Sequence, residues 1–124
     1  METDSKAAVL VVDDDACIRE PLVELLEAEG YQPLQARDGH EALEQVQRLR
    51  KPCHVVLDLM MPRMSGHEFL ARVRASPELH AQLHIVVCSA ALTLPPECPP
   101  VEAVLPKPFE LDALLELLGP KRCA

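Results

Sequence analysis

Apolar residues in this sequence fall in short continuous runs that alternate with longer stretches of helical spacing. The first run, Ala7 to Val12, is wholly aliphatic, which is typical of a parallel strand buried on both faces. Shorter, largely apolar segments predict further strands at 54–57, 83–88 and 101–105, and the mixed segment 31–36 can form another. Between these strands, apolar residues three and four positions apart predict helices, at 17–29, 38–51, 65–76 and 108–118.

Polar residues and glycine at the predicted helix ends support these boundaries. Asp15 can cap the first helix, and Gly30 can end it. Asp38 and Glu41 have the spacing of a capping box at the start of the second helix. Pro21 lies inside the first predicted helix, where proline can introduce a kink.

One interval departs from the alternation of strand and helix. After the fourth predicted strand, residues 92–100 contain too many prolines for a regular helix, at Pro95, Pro96, Pro99 and Pro100. We therefore expect a loop in this interval, and a fourth helix that is degraded or missing.

The order of elements indicates a doubly wound α/β fold, in which right-handed crossovers place helices against a parallel sheet. A length of 124 residues, 48% of them apolar, is enough for one hydrophobic core. We expect a single domain over residues 1–124.

The net charge and the cysteine content argue against several classes of function. The chain has 20 acidic and 12 basic residues, and its net charge of -8 opposes direct binding to nucleic acid or anionic lipid. No apolar run approaches the roughly 20 residues that span a bilayer, so we expect no membrane association.

The five cysteines are scattered and predict neither disulfides nor a zinc site, which favours a cytoplasmic protein. The histidines lack the spacing of zinc motifs, and we interpret them as surface or satisfied residues.

Chemically useful side chains stand where the predicted strands end. Asp13 and Asp14 follow the first strand, Asp58 the third, Ser89 the fourth and Lys107 the fifth. The carboxyl ends of parallel strands share one edge of the sheet, so these side chains are expected to converge. Clustered carboxylates repel one another unless a cation joins them, and an all-oxygen site suits Mg²⁺, with Mn²⁺ as a substitute. A carboxylate can also be the nucleophile in phosphoryl transfer when nearby cations neutralise the transferring oxygens.

Motifs in the same order identify a family resemblance that covers essentially the whole chain. They are Val-Val-Asp-Asp-Asp at 11–15, Asp-Leu-Met-Met-Pro-Arg-Met-Ser-Gly at 58–66, Cys-Ser-Ala at 88–90 and Lys-Pro-Phe at 107–109. Together they resemble the signature of response regulator receiver domains of two-component signalling. The resemblance implies a flavodoxin-like five-stranded parallel sheet of order 2-1-3-4-5, with helices on both faces.

The resemblance also assigns roles to individual residues. It makes Asp58 the phosphoacceptor and places Mg²⁺ against Asp13, Asp14, Asp58 and the backbone carbonyl of Met60. It makes Ser89 the hydroxyl that turns towards the phosphoryl group, and Lys107 the cation that pairs with that group. Val104 departs from the family, because many receivers carry a switching aromatic residue there.

As partners, the resemblance implies a sensor histidine kinase or a histidine phosphotransfer domain as the phosphoryl donor, and an unidentified protein downstream. The domain would then catalyse only its own phosphorylation and dephosphorylation. The chain ends soon after the last predicted helix, so a stand-alone receiver and a domain of a larger protein both remain open.

Two alternative functions use the same fold or the same chemistry. A pseudo-receiver, controlled without phosphate, usually lacks one of the acidic or lysine positions, and this sequence keeps them all. Aspartate-nucleophile phosphatases carry a second acid two residues after the nucleophile, where this chain has Met60. The receiver interpretation is therefore preferred.

Overall fold

A computed structural model of the chain describes residues 7–49, 51–58, 66–89, 103–106 and 111–118. The strands are β1 (Ala8–Val12), β2 (Gln32–Ala36), β3 (Cys53–Asp58), β4 (Leu83–Ser89) and β5 (Ala103–Pro106). The helices are α1 (Ala16–Ala28), α2 (Gly39–Leu49), α3 (Gly66–Arg74), α4 (Pro77–Gln82) and α5 (Leu111–Leu118).

All neighbouring strands in the sheet are parallel, and their order is β2-β1-β3-β4-β5. β1 and β3 are therefore adjacent, although α1, β2 and α2 separate them in sequence. This order brings the carboxyl ends of β1 and β3 side by side. The predicted flavodoxin-like α/β fold with a parallel sheet is confirmed.

Helices cover both faces of the sheet, because the central strands are apolar on both sides. Leu10 and Val12 of β1 pack on one face with residues from α2 and α3, among them Val46 and Phe69. The alternating residues of β1 pack on the other face with α1 and α5; this second cluster includes Val9, Val11, Leu22, Leu26, Leu114 and Leu118. The continuous aliphatic run of β1 thus fills two cores at once.

The residues that the sequence predicts at the two ends of α1 are confirmed, although the helix spans Ala16–Ala28 rather than 17–29. Asp15 is its N-cap, and the Asp15 carboxylate accepts a hydrogen bond from the Cys17 backbone N–H at 2.9 Å. At the other end, Gly30 adopts a φ of 102°, and the Tyr31 N–H donates to the Leu26 carbonyl. A positive φ suits glycine because it has no Cβ, and this arrangement is a Schellman motif. The helix continues through Pro21.

The short helix α4 is not among the elements predicted from the sequence. Residue 76, the predicted end of the third helix, instead begins a new helix together with Pro77. Ser76 is the N-cap of α4 and accepts a hydrogen bond from the Leu79 N–H at 3.3 Å, and Pro77 occupies the first turn. Proline is favourable there because that position has no intrahelical partner for an N–H.

The predicted loop at 92–100, and with it the degraded or missing fourth helix, lies outside the residues that the structure describes. Within the described ranges, no helix combines the length and the apolar character needed to cross a membrane.

Candidate functional site

Three carboxylates meet where β1 and β3 end. Asp13 and Asp14 directly follow β1, and Asp58 is the last residue of β3. One oxygen from each carboxylate lies within 4.8 Å of the others. Like charges at this separation repel, so the cluster stores unfavourable electrostatic energy unless a cation reduces it.

The members of this acidic cluster differ in their exposure. Asp13 and Asp58 are buried, with 5% and 8% of their surface exposed, whereas Asp14 is exposed. The cluster is consequently open to solvent on the side of Asp14. An ion bound there could keep several waters, as Mg²⁺ usually does in proteins.

Backbone hydrogen bonds fix the loop that carries the acidic cluster. The Asp13 N–H donates to the Ala36 carbonyl at the end of β2, with a distance of 3.1 Å. The Asp13 carboxylate accepts a hydrogen bond from the Asp15 N–H at 3.0 Å. Asp15 directs its own carboxylate to α1, and it is not part of the acidic cluster.

A buried arginine supports the same loop from α1. The Arg19 Nη1 donates to the carbonyl oxygen of Asp13 at 2.9 Å, and Nε donates to the Gln35 side chain at 2.8 Å. Only 8% of the surface of Arg19 is exposed. Arg19 is not among the site residues predicted from the sequence. The signal that could have identified it is a basic residue three positions before Leu22, on the inward face of an amphipathic helix.

The donor set fits a hard divalent cation. Carboxylate oxygens are the ligands of Mg²⁺ and Mn²⁺, and the cluster contains no nitrogen or sulfur ligand. Among the described residues, no second group of three or more such side chains could hold a metal ion.

The remaining predicted site residues are only partly covered by the structure. Ser89 is the last residue of β4, and its backbone lies in register with Pro106 of β5. Lys107 directly follows β5 in the sequence, but its position and that of Met60 fall outside the described ranges, as does the side chain of Ser89. The strands therefore bring the backbone of Ser89 to the same edge as the acidic cluster.

The family of this chain follows from its similarity to known proteins. Residues 9–119 match the family model described as the response regulator receiver domain. The chain belongs to this family. The receiver domain is thus a component of two-component signalling, as its motifs imply.

Curated relatives of this receiver domain are longer proteins. The response regulator MprA of Mycobacterium leprae is 40% identical over 111 residues, which are 86% of this chain and 47% of that protein. The chain therefore spans about half the length of the curated relatives that it matches.

Solved structures share the fold along nearly the whole receiver domain. A receiver domain from Methylobacillus flagellatus has a TM-score of 0.77 and 29% identity, and the match covers 92% of this chain and 97% of the other. The response regulator TrrA of Thermotoga maritima, whose structure was solved in complex with Mg²⁺-BeF, has a TM-score of 0.75 and 30% identity. That match covers 90% of this chain and 96% of TrrA.

Proposed function

We propose that this receiver domain accepts a phosphoryl group on Asp58 from a phosphohistidine donor, in a Mg²⁺-dependent reaction. The phosphorylated site would then change the interactions of the protein with its partners in a phosphorelay. The observation that carries this proposal is the clustering of three carboxylates at the carboxyl ends of two adjacent parallel strands.

In the proposed reaction, a carboxylate oxygen of Asp58 attacks the phosphorus atom of the donor. The bond between phosphorus and the histidine nitrogen breaks, and its electron pair returns to the imidazole of the donor, which takes a proton from solvent. The product on Asp58 is an acyl phosphate. Because Asp58 ends β3, a rigid strand positions the nucleophile.

Asp13 and Asp14 would hold the ion together with Asp58 and the backbone carbonyl of Met60. When bound, Mg²⁺ would neutralise the carboxylates and the oxygens of the transferring phosphoryl group. The complex of TrrA with Mg²⁺-BeF supports an ion of this kind. Mn²⁺ prefers the same oxygen ligands and is expected to replace Mg²⁺.

Lys107 and Ser89 would complete the site. The Lys107 ammonium would pair with the phosphoryl oxygens, and the Ser89 hydroxyl would donate a hydrogen bond to one of them. A dianionic group on Asp58 would draw both side chains towards it, and the loops that carry them would pass the change to a partner surface.

The donor would be a sensor histidine kinase or a histidine phosphotransfer domain, and the downstream target would be another protein. The net charge of -8 disfavours direct contact of this chain with nucleic acid. Among the described residues, Cys17, Cys53 and Cys88 form no disulfide, in keeping with the proposed cytoplasmic location. We further propose that the domain catalyses only the gain and loss of its own phosphoryl group, without turnover of a separate substrate.

The decisive experiment uses a small phosphodonor. Wild-type protein incubated with acetyl phosphate and Mg²⁺ should gain the mass of one phosphoryl group, measured by intact-protein mass spectrometry. Asp58→Asn should gain none, because an amide is not a nucleophile of this kind. Chelation of Mg²⁺ should abolish the adduct on the wild type.

Two results would contradict the proposal. An adduct of equal yield on Asp58→Asn would place the phosphoryl group on another residue. A wild-type protein that gains no adduct from acetyl phosphate or from a phosphorylated histidine phosphotransfer domain would behave as a pseudo-receiver.

A further inference from the structure

Two histidines form a pair on adjacent strands, away from the acidic cluster. His54 of β3 and His84 of β4 are register partners, and parallel partners in register project their side chains to the same face of the sheet. Their ring centroids are 5.3 Å apart, and the ring planes are inclined at 60°. The sequence spacing gives no hint of this pair, since it arises only from the register of β3 and β4.

The separation of the rings matches that of two imidazoles on one metal ion. With metal–nitrogen bonds of about 2.0–2.1 Å and tetrahedral angles, two coordinated imidazoles place their ring centroids roughly 5 Å apart. The 5.3 Å separation of the centroids is therefore compatible with two imidazoles on one ion, for which each ring would turn a nitrogen towards the ion from the edge-to-face arrangement. Neutral imidazole is a ligand that Zn²⁺, Ni²⁺ and Cu²⁺ prefer and that Mg²⁺ does not.

The histidine pair is accessible from solvent. His84 is exposed and His54 is half-buried, so an ion can reach the pair without unfolding the sheet. Among the described residues, no group of three or more potential metal ligands includes this pair, so two imidazoles would be the protein ligands of the ion.

The histidine pair is separate from the acidic cluster in position and in chemistry. Asp58 and Cys88 are also register partners on β3 and β4, and Asp58 belongs to the acidic cluster. His54 and His84 lie four residues before them on the same two strands. At about 3.3 Å per residue, this places the pair roughly 13 Å away, towards the amino-terminal ends of the strands. Nitrogen ligands at one site and oxygen ligands at the other select different ions.

We propose that His54 and His84 form a surface binding site for a divalent transition metal ion, distinct from the Mg²⁺ site of the receiver. An ion held by both rings would link β3 to β4 and stabilise the folded protein by mass action. The site does not depend on phosphorylation of Asp58, so the test of one proposal does not affect the other.

Calorimetric titration with Ni²⁺, in the presence of excess Mg²⁺, tests the histidine pair directly. Wild-type protein should bind one Ni²⁺ that His84→Gln binds at least tenfold more weakly. The acidic cluster is unchanged in this variant, so any Ni²⁺ held there would contribute equally to both proteins. His40→Gln is the matched control, because His40 is an exposed histidine on α2 next to Glu44.

Nuclear magnetic resonance of the histidine ring nitrogens gives a second measurement that needs no variant. Addition of Zn²⁺ should shift the ring signals of His54 and His84 together and leave those of His40 in place. Equal Ni²⁺ affinity in wild type and His84→Gln, or an equal loss in His40→Gln, would overturn the proposal. So would Zn²⁺ shifts that spread evenly over all the histidines.

Discussion

The guanidinium group of Arg19 holds the backbone carbonyl of Asp13, with Nη1 at 2.9 Å from the carbonyl oxygen. Its Nε also donates to Gln35 at the end of β2, so one side chain of α1 joins two strand ends. This relationship ties the loop that bears the acidic cluster to the first helix.

Removal of the Arg19 guanidinium is expected to destabilise the protein. Arg19→Ala leaves the Asp13 carbonyl without this donor, and we expect the free energy of unfolding to fall by about 1.5–3 kcal/mol, the range for hydrogen bonds to charged groups. Urea unfolding measures this change. Arg37→Ala is the control, because Arg37 is exposed and pairs with Glu41 on the surface. Equal losses in the two variants would contradict a special role for Arg19.

The N-cap of α1 can be tested without disturbing the acidic cluster. Asp15→Ala removes the acceptor for the Cys17 N–H, and the expected loss is about 1 kcal/mol in the free energy of unfolding. Asp15→Asn keeps a capping oxygen and should retain most of the stability. If the alanine and asparagine variants unfold at the same urea concentration, the Asp15 cap contributes little.

Mg²⁺ should stabilise the wild-type protein by binding to the folded state only. At a concentration one hundred times the dissociation constant, the expected gain is about 2.7 kcal/mol. Asp14→Asn should lose most of this gain, because it removes one of the three clustered carboxylates. Glu27→Gln makes the same charge change in the last turn of α1 and should keep the gain. Thermal unfolding with and without Mg²⁺ compares the three proteins, and an equal response in all three would count against the site.

Stability at alkaline pH should depend on Tyr31. Burial, and secondarily the charge of Glu29, raise the pKa of Tyr31 above its ordinary value of 10.0. The unfolded chain therefore loses the tyrosine proton first, and the stability contribution present below pH 10 declines as the pH rises through the folded-state pKa. Tyr31→Phe should lack this decline.

Tyr31 is the only tyrosine in the chain, so its ionisation can be followed by ultraviolet absorbance of tyrosinate. Glu29→Gln should lower the titration midpoint only part of the way to the ordinary value, because burial is the larger cause. A wild-type midpoint at the ordinary value would contradict the raised pKa.

The sequence predicts the carboxylate positions well because strand ends obey a simple rule. Asp13, Asp14 and Asp58 each stand where an aliphatic run stops, and the carboxyl ends of parallel strands share one edge. The rule needs only the order of the elements. It leaves the distances within the cluster open, because these depend on which strands are neighbours.

The features that were not predicted from the sequence depend more on tertiary contacts than on local hydrophobic patterns. Arg19 sits on the buried face of α1, where a hydrophobicity pattern expects an apolar residue. Pro77 can end one helix or begin another, and the Ser76 cap decides in favour of beginning. The contact between His54 and His84 requires the register of β3 against β4.

The two-sided burial of β1 leaves its alignment undetermined by hydrophobicity. A strand with one polar face cannot slide by one residue without exposing its apolar side, but Ala8–Val12 would present aliphatic side chains to both layers after such a slip. The polar boundary at Asp13 opposes sliding. A shift towards the core would bring a carboxylate between the aliphatic layers, and a shift in either direction would break the hydrogen bond from the Asp13 N–H to the Ala36 carbonyl. Asp13 therefore helps to fix the register of the central strand.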